Sequence, residues 1–220
     1  MNHQIQDQNN DQILENLQEN LQENSQENLQ DENQIFEAAW WGNCANTYSE
    51  DTKQLTYAHR MGLINTPIDG HWPVYDLQKK SIMDIGGGPS SLLLKCINGN
   101  DLVVLDPCDY PSWVNQRYIE ADIDWIQQPG DIYIGDNFDE VWIYNCLQHT
   151  DDPKAIIENA WDHAPLIRIF EWIDVPVHPG HPSELKEHLL NEWLGGVGTV
   201  EEVNENSAVG KAYYGVFTAK

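Results

Sequence analysis

The 220-residue sequence has few basic residues and few cysteines, and it lacks long apolar runs. Only 11 Lys and Arg stand against 36 Asp and Glu, and a net charge of −25 repels nucleic-acid backbones, so we expect no nucleic-acid partner. The four cysteines form no C-x-x-C pair, which argues against a zinc knuckle or a disulfide framework. No apolar run approaches the ~20 residues that cross a bilayer, and the N-terminus shows no signal-peptide pattern. We therefore expect a cytoplasmic protein with reduced thiols and no membrane partner.

The first 34 residues contain no Lys, Arg, Gly, Pro or aromatic residue. A tetrad that begins with Glu and Asn repeats between Glu15 and Gln30, and the segment contains eight acidic residues. A four-residue period drifts around a helix of 3.6 residues per turn, so its leucines cannot face one partner for long. We interpret residues 1–34 as a low-complexity acidic tail that is disordered or partly helical, with a short coiled coil as the alternative.

The segment of residues 35–80 differs from the tail because it is rich in aromatic side chains. The stretch Ile35–Trp41 is apolar, and Ser49-Glu-Asp-Thr52 resembles a capping box that opens a helix running to about Met61. A loop then follows, marked by Pro67, Gly70 and Pro73. We interpret this segment as a helical cap in front of a core domain.

From residue 81 onward, short apolar segments alternate with helical patterns. The predicted strands are Ser81–Ile85, Leu102–Leu105, Tyr118–Ala121, Phe138–Tyr144, Leu166–Trp172, Thr199–Val203 and Ala212–Thr218. The predicted helices are Ser90–Cys96, Pro153–Asp162, with Asp152 as its N-cap, and Pro182–Leu194. Alternating strands and helices predict a parallel sheet with both faces covered, and two final strands joined without a helix predict an antiparallel hairpin. We therefore expect an α/β fold with residues 81–220 as its core.

Ligands of open α/β sheets bind at the carboxyl ends of the strands. The first predicted strand ends in Asp84-Ile-Gly-Gly-Gly88-Pro89, whose glycines let a ligand approach the backbone. Asp84 would attract an ammonium group and repel a pyrophosphate. Asp106 ends the second strand 22 residues beyond Asp84, a spacing that suits a carboxylate accepting hydrogen bonds from a ribose diol. Both NAD and S-adenosylmethionine carry such a ribose.

Two further strand ends carry candidate site residues. After the third predicted strand, Asp122 would accept a hydrogen bond from an adenine amino group while Ile123 packs on the ring. After the fourth, Asn145 and Cys146 would face the crevice near the reacting centre. His149 would be a general base or shape the substrate pocket, and a His with only structural hydrogen bonds is the alternative.

Taken together, these motifs resemble those of class I S-adenosylmethionine-dependent methyltransferases of the small-molecule branch. The resemblance rests on Asp84–Gly88, Val104–Asp106, Ala121–Ile123, Phe138–Trp142 and Leu147–Pro153. It implies a Rossmann-like, seven-stranded, mostly parallel sheet with a C-terminal antiparallel hairpin, helices on both faces and an N-terminal helical cap. The cap is more faintly similar to that of phage- and virus-associated members.

The resemblance implies S-adenosylmethionine as cofactor and methyl transfer to an O or N of a small molecule or glycan. The implied cofactor-binding residues of the core are Asp84, Gly86, Gly87, Gly88, Pro89, Asp106, Pro107, Asp122, Ile123, Asn145 and Cys146. In the cap, Tyr48, Lys53 and Tyr57 are expected to close over the methionine carboxylate. His149 is the candidate catalytic residue, and no resident metal is expected. The acceptor and the oligomeric state stay open.

Some features depart from this pattern or favour alternatives. Ser90 stands where the family often has a third glycine, and Cys108 follows a proline as in cytosine ring-carbon methyltransferases, but after the second strand rather than the fourth. His178-Pro-Gly-His181 offers an H-x-x-H metal site, although its prolines favour a stiff substrate-pocket loop. A nicotinamide-dependent oxidoreductase is an alternative function, although only two of the three glycines of G-x-G-x-x-G are present. A non-catalytic S-adenosylmethionine-binding module is another.

Overall fold

The computed structural model describes residues 34–66 and 73–220. The predicted tail therefore lies outside the described residues except for Gln34, and most of the predicted loop around Gly70 lies outside them too. The helices are α1 (34–41), α2 (Tyr48–Arg60), α3 (Ser112–Glu120), α4 (Pro153–His163) and α5 (Glu187–Leu194), with short 3₁₀ turns at Leu92–Lys95 and Leu147–His149. The domain boundaries after residues 34 and 80 stay predictions.

The strands form one large and one small sheet. They are β1 (Asn65–Thr66), β2 (Val74–Asp76), β3 (Ser81–Ile85), β4 (Cys96–Ile97), β5 (Asn100–Leu105), β6 (Asp124–Ile126), β7 (Glu140–Tyr144), β8 (Leu166–Trp172), β9 (Thr199–Glu205) and β10 (Ala208–Thr218). The large sheet has the order β6-β5-β3-β7-β8-β10-β9, and the small one has the order β1-β2-β4. In the large sheet β10 runs antiparallel to β8 and β9, and the other neighbours are parallel. The predicted α/β fold with a seven-stranded, mostly parallel sheet and a C-terminal hairpin is confirmed.

Side-chain alternation along the central strands divides the core between the two faces of the large sheet. Because successive side chains of a strand point to opposite faces, Met83 and Ile85 face one side and Ile82 faces the other. The first face is covered by α4 and α5, with Ile156 and Leu190 in its core. The second face is covered by α2 and α3, which contribute Tyr57, Ala58, Val114 and Tyr118. Burying apolar area on both faces explains the almost uninterrupted apolar sequences of the central strands.

The predicted helix at Ser90–Cys96 is wrong. Its backbone is held by side chains instead, because Ser91 N–H donates to the Tyr118 hydroxyl and Leu92 N–H donates to the Tyr144 hydroxyl, each over 2.8 Å. Only one 3₁₀ turn forms at Leu92–Lys95, and the chain then enters β4. No α-helix therefore begins directly behind the three glycines.

The predicted strand at Tyr118–Ala121 is also wrong, because these residues end α3. Val114 and Tyr118, four residues apart, are the buried residues of this helix, which is a helical spacing rather than an alternating one. The third parallel strand is β6, which begins three residues after the helix ends at Glu120 and pairs with β5.

The remaining helices agree more closely with the sequence. Asp152 caps α4, since its carboxylate accepts from Ala155 N–H over 3.0 Å, as predicted. Helix α5 is shorter than predicted and ends before Gly195, whose φ of 66° is left-handed. Helix α2 matches its predicted extent, but the residue before it is Thr47, whose hydroxyl donates to Asp51 over 2.9 Å. Within residues 34–66 and 73–220, no helix combines the length and the apolar character needed to cross a membrane.

Candidate functional site

A cavity of about 1290 Å³ opens at the carboxyl ends of β3, β5 and β7. Its walls come from the glycine loop, from the segments after β5, β6 and β7, and from α1 and α2. This volume is larger than a typical pocket for one small ligand, which holds ~300–1,000 Å³. The cavity therefore has room for two ligands side by side.

The glycine loop gives the cavity a wall of bare backbone. Gly86 and Gly88 have φ values of 72° and 60°, in the left-handed region that favours glycine. A Cβ on Gly88 would lie 3.9 Å from the Tyr110 hydroxyl and 4.0 Å from the Trp41 ring, which is ordinary van der Waals contact without a clash. At Gly86 the constraint is internal, because a Cβ would lie 2.5 Å from the Cβ of Cys146.

Asp106 lies beside the glycine loop and is held by two backbone groups. One carboxylate oxygen accepts from Gly88 N–H over 3.0 Å, and the other accepts from Cys108 N–H over 2.9 Å. Burial raises the pKa of the Asp106 carboxyl to about 6, although both N–H groups favour its ionised form. Asp106 lines the cavity, so its carboxylate is placed to accept a hydrogen bond from a ligand hydroxyl.

Asp84 does not line the cavity, which corrects its predicted orientation. It is fully buried under the loop on the face covered by α2 and α3, and its Oδ2 accepts from the hydroxyls of Ser91 and Tyr144. Its Oδ1 has no hydrogen-bond partner among the described residues. Burial raises the pKa of Asp84 to about 7 against the effect of these two hydroxyls. Strand alternation is the cause, because Ile85 faces the opposite side of the sheet.

Ser90, which the sequence leaves unexplained, joins the glycine loop to the cap. Its hydroxyl donates to Asp51 over 2.8 Å, and its carbonyl accepts from the Gln54 amide. Lys95 donates to both of these α2 residues. Ser90 is buried, so a glycine here would remove one of the bonds by which α2 holds the loop. The departure from the family pattern is therefore an anchoring contact.

Asn145 and Cys146 form the cavity wall after β7, as expected. Asn145 has a left-handed φ of 52°, and its N–H donates to the Phe170 carbonyl over 2.9 Å. Glu171 orders this turn by accepting from the N–H groups of Cys146 and Leu147, each over 3.1 Å. Burial raises the pKa of Glu171 to about 7. The turn thus depends on one buried carboxyl group.

His149 lies in the cavity wall and is held through its Nδ1. This nitrogen is 2.8 Å from a Glu37 carboxylate oxygen and 2.7 Å from the Gly180 carbonyl. Burial acts to lower the pKa of His149, but the hydrogen bond and charge of Glu37 outweigh it, so the pKa lies above its ordinary value. Both contacts are made by Nδ1, which leaves Nε2 as the ring nitrogen that can face a ligand.

The predicted adenine contacts are wrong. Asp122 and Ile123 precede β6, at the end of the strand opposite to the cavity, and Ile123 is buried against Tyr118 and its neighbours. The error follows from taking the end of α3 for the third strand. The segment after β6 contributes Pro129, Gly130 and Asp131 to the cavity instead. The sequence signal for it is the apolar pair before Gln127-Gln-Pro-Gly130, which is typical of a strand followed by a turn.

Some of the predicted cap and loop residues line the cavity, and others do not. Lys53 lines the cavity and pairs with Glu50 over 3.4 Å, as an expected cap contribution. Tyr48 lies outside the cavity wall on an exposed turn of α2, and Tyr57 is buried against Phe170 in the core. Pro89 is also buried outside the wall. The cavity wall thus contains nine predicted residues, which are Lys53, Gly86, Gly87, Gly88, Asp106, Pro107, Asn145, Cys146 and His149.

Several wall residues were not predicted. Helix α1 contributes Phe36, Glu37, Trp40 and Trp41. Glu37 in particular carries no local signal, because its partner His149 is distant in the chain. Gln54 is a further omission, because a buried amide on α2 shows in the sequence only as a polar residue at a core spacing.

The two cysteine and histidine alternatives gain no support from the geometry. Burial, and then the charge of Asp106, raises the pKa of the Cys108 thiol, which disfavours the thiolate that a nucleophile requires. Among the described residues, no three His, Cys, Asp or Glu side chains converge as metal ligands. His178 and His181 instead close a tight turn through mutual backbone hydrogen bonds of 3.1 and 2.8 Å.

Comparison with known proteins identifies relatives by fold only. No protein-family model matches the sequence, and no curated protein matches it significantly. Among solved structures, the chain is similar to 1,6-didemethyltoxoflavin-N1-methyltransferase from Burkholderia thailandensis, crystallised with bound 1,6-didemethyltoxoflavin and S-adenosylhomocysteine. The identity is 14% and the TM-score is 0.51, over 84% of this chain and 82% of that one. It is also similar to magnesium protoporphyrin IX methyltransferase from Synechocystis PCC 6803 with bound S-adenosylhomocysteine, at 13% identity and a TM-score of 0.50, over 79% and 82%. The chain therefore has the Rossmann-like fold that these methyltransferases share.

Proposed function

We propose that this protein is an S-adenosylmethionine-dependent methyltransferase that acts on an O or N of a small molecule or glycan. The observation that carries the proposal is the shared cavity wall of Gly86–Gly88, Asp106 and His149 at the carboxyl ends of parallel strands. Both fold relatives are methyltransferases crystallised with S-adenosylhomocysteine, which supports the same cofactor here.

The residues at the cavity fit this cofactor. Asp106 places a carboxylate for the ribose hydroxyls, and the bare backbone of Gly86 and Gly88 in the cavity wall lets a ligand approach the loop. Lys53 would pair with the methionine carboxylate, as a cation within reach of the same wall. When bound, S-adenosylmethionine supplies an electrophilic methyl group on a sulfonium centre.

In the proposed reaction His149 acts on the acceptor. Its Nε2 would take the proton of the acceptor O–H or N–H, which makes that atom a better nucleophile toward the methyl group that the cofactor would supply. The resulting imidazolium is stabilised by Glu37, which contacts Nδ1. The protein otherwise contributes proximity and orientation, with Asn145 and the glycine loop shaping the cavity around the two reactants.

A nicotinamide dinucleotide suits this loop less well. Dinucleotide sites place the pyrophosphate at the N-terminus of the α-helix that follows the glycines. Here one 3₁₀ turn at Leu92–Lys95 follows them, and the Leu92 N–H that a phosphate would use donates to Tyr144. These contacts support a sulfonium cofactor over NAD.

The remaining sequence predictions belong to the same proposal. The cavity volume of about 1290 Å³ supports a small-molecule acceptor beside the cofactor, and one fold relative was crystallised with bound 1,6-didemethyltoxoflavin, a small molecule. The acceptor's being a glycan, the cytoplasmic location, and the likeness of the cap to virus-associated enzymes stay predictions. The net charge of −25 continues to disfavour nucleic acid.

Isothermal titration calorimetry with S-adenosylmethionine, S-adenosylhomocysteine and NAD tests the cofactor. We expect the two adenosyl ligands to bind and NAD not to bind. Asp106→Ala should weaken adenosyl-ligand binding about 10- to 100-fold, because a hydrogen bond to a charged group contributes ~1.5–3 kcal/mol. The neighbouring, exposed Asp109→Ala is the matched control and should leave affinity unchanged. Binding of NAD alone, or equal affinities for both variants, would overturn the assignment.

A methyl-release assay over a library of phenols, amines and glycans tests turnover. We expect S-adenosylhomocysteine to form with at least one acceptor. His149→Ala should lower the kcat of methyl transfer to that acceptor about 100-fold or more, which is the usual range for a general base. Adenosyl-ligand binding without turnover across the library would favour the non-catalytic binding module.

A further inference from the structure

Helix α1 contacts the cavity wall at two adjacent residues. Phe36 lies against Gly180 of the His178–His181 turn, and Glu37 contacts His149. His149 in turn contacts the carbonyl of the same Gly180. Three parts of the structure therefore meet here, namely helix α1, the His178–His181 turn and the candidate base His149.

The His178–His181 turn packs closely against helix α1. Gly180 has a φ of 85°, and a Cβ at this position would lie 2.3 Å from the Phe36 ring. Both the backbone conformation and the closeness of the ring require glycine here. Pro179 precedes it, and the paired backbone bonds of His178 and His181 close the turn. The Gly180 carbonyl is thus held in a defined position toward His149.

The groups that face His149 come from three directions. Glu37 approaches from α1, the buried Glu171 acts from β8, and the His181 ring packs edge-on with its centroid 4.4 Å from that of His149. Burial, followed by the charges of His149 and His178, lowers the pKa of His181 to about 4, so His181 is neutral near pH 7. Glu37 is the only one of these groups that both bonds the ring and carries a compensating charge.

We propose that Glu37 is a positioning residue for the reaction. Together with the Gly180 carbonyl, its carboxylate holds the proton of neutral His149 on Nδ1, which leaves Nε2 as the nitrogen that accepts the proton from the acceptor. After that transfer, the Glu37 carboxylate stabilises the positive charge of the ring. Because Glu37 is carried by α1, the base is set correctly only when this helix lies on the turn. The inference rests on the proposed function for its catalytic meaning.

Nuclear magnetic resonance of ¹⁵N-labelled histidine tests this role without any acceptor. The His149 signals are assigned with a His149→Gln variant, and the tautomer and pKa are read from a pH titration. In the wild type we expect the Nδ1–H tautomer and a pKa above the ordinary value. Glu37→Gln should lower this pKa by about one pH unit, because an adjacent opposite charge typically shifts a pKa by ~1–3. Glu192→Gln, an exposed glutamate on α5, is the matched control and should change nothing.

Further outcomes separate positioning from a merely structural role. Glu37→Asp keeps the charge and should restore part of the His149 pKa that Glu37→Gln loses. If Glu37→Gln lowers the melting temperature but leaves the His149 tautomer and pKa unchanged, the proposal is overturned. S-adenosylhomocysteine affinity, measured on the same samples, tests the proposed function separately. Absence of binding by the wild type would overturn that function and leave the His149 titration to decide the role of Glu37.

Discussion

At the residue scale, single atoms decide which side chains the loop around the cavity accepts. Gly86 and Gly42 both have a left-handed φ, of 72° and 53° respectively. They differ in their surroundings, because a Cβ on Gly86 would lie 2.5 Å from Cys146 Cβ, whereas one on Gly42 would meet no heavy atom within 4 Å. The pair therefore separates the cost of backbone conformation from the cost of a steric clash.

We expect Gly42→Ala to lower the free energy of unfolding by about 1 kcal/mol, the cost of a left-handed alanine. Gly86→Ala should lower it by about 2–5 kcal/mol, because overpacking against Cys146 adds to the same conformational cost. Urea denaturation of both variants measures the difference. Equal losses would show that the loop moves away from Cys146 freely and that Gly86 is required only for its φ.

At the element scale, a buried ion network joins the amino ends of β7 and β8 to the cap. Arg168 donates to both carboxylate oxygens of Glu140 over 2.6 and 3.1 Å, and also to the Met61 carbonyl at the end of α2. Lys80 and Trp142 complete the partners of this carboxylate. Although burial alone would raise it, these bonds lower the pKa of Glu140 to about 2. The network lies at the opposite end of the strands from the cavity.

Glu140→Ala should lower the free energy of unfolding by about 3–5 kcal/mol, because it leaves the Arg168 charge buried without its partner. Glu201→Ala is the comparison, since it removes an exposed carboxylate from Arg60, which keeps its bond to Glu205, and it should cost much less stability. Chemical denaturation monitored by tryptophan fluorescence gives both values. Comparable losses would mean that solvent reaches Arg168 and that this network adds little to stability.

At the scale of the whole molecule, buried carboxyl groups couple stability to pH. Burial raises the pKa of Asp84 and Glu171 to about 7 and that of Asp106 to about 6. A carboxyl whose pKa is higher in the folded state than in the unfolded state binds more protons when folded. Its contribution to stability is therefore present at low pH and is lost as the pH rises from the unfolded pKa through the folded one. Glu140 has a lowered pKa, so its contribution to stability is present at higher pH and is lost only as the pH falls towards that pKa.

The ligand-free protein should accordingly be most stable near pH 5 and lose several degrees of melting temperature between about pH 5 and pH 7.5. Differential scanning calorimetry in buffers of constant ionic strength measures this. Glu171→Gln removes one of the three groups but keeps an oxygen for the N–H groups of Cys146 and Leu147, so its melting temperature should depend less on pH. A melting temperature that rises over this interval would contradict the assignment of raised pKa values.

The sequence by itself determined the fold class, because its signals are local. Apolar runs such as Ser81–Ile85 and Leu166–Trp172 predict buried strands wherever they lie, and Asp152 with Pro153 marks a helix start by its own chemistry. The same local reasoning failed at Tyr118, whose aromatic neighbours suit a strand while its burial follows a helical spacing. Because the third strand was predicted too early in the chain, the predicted adenine contacts fall at the amino end of β6 and not at its carboxyl end.

Only the tertiary structure decided which residues line the cavity. Strand alternation turned Asp84 away from the cavity, and the hydroxyls of Tyr118 and Tyr144 took the N–H groups that a helix after the glycines would have left free. Glu37 contacts His149, which is distant in the sequence, and no sequence motif predicts this contact. The physical reason is that a backbone pattern depends on neighbours in sequence, whereas a hydrogen bond between distant side chains depends on packing that only the complete fold establishes.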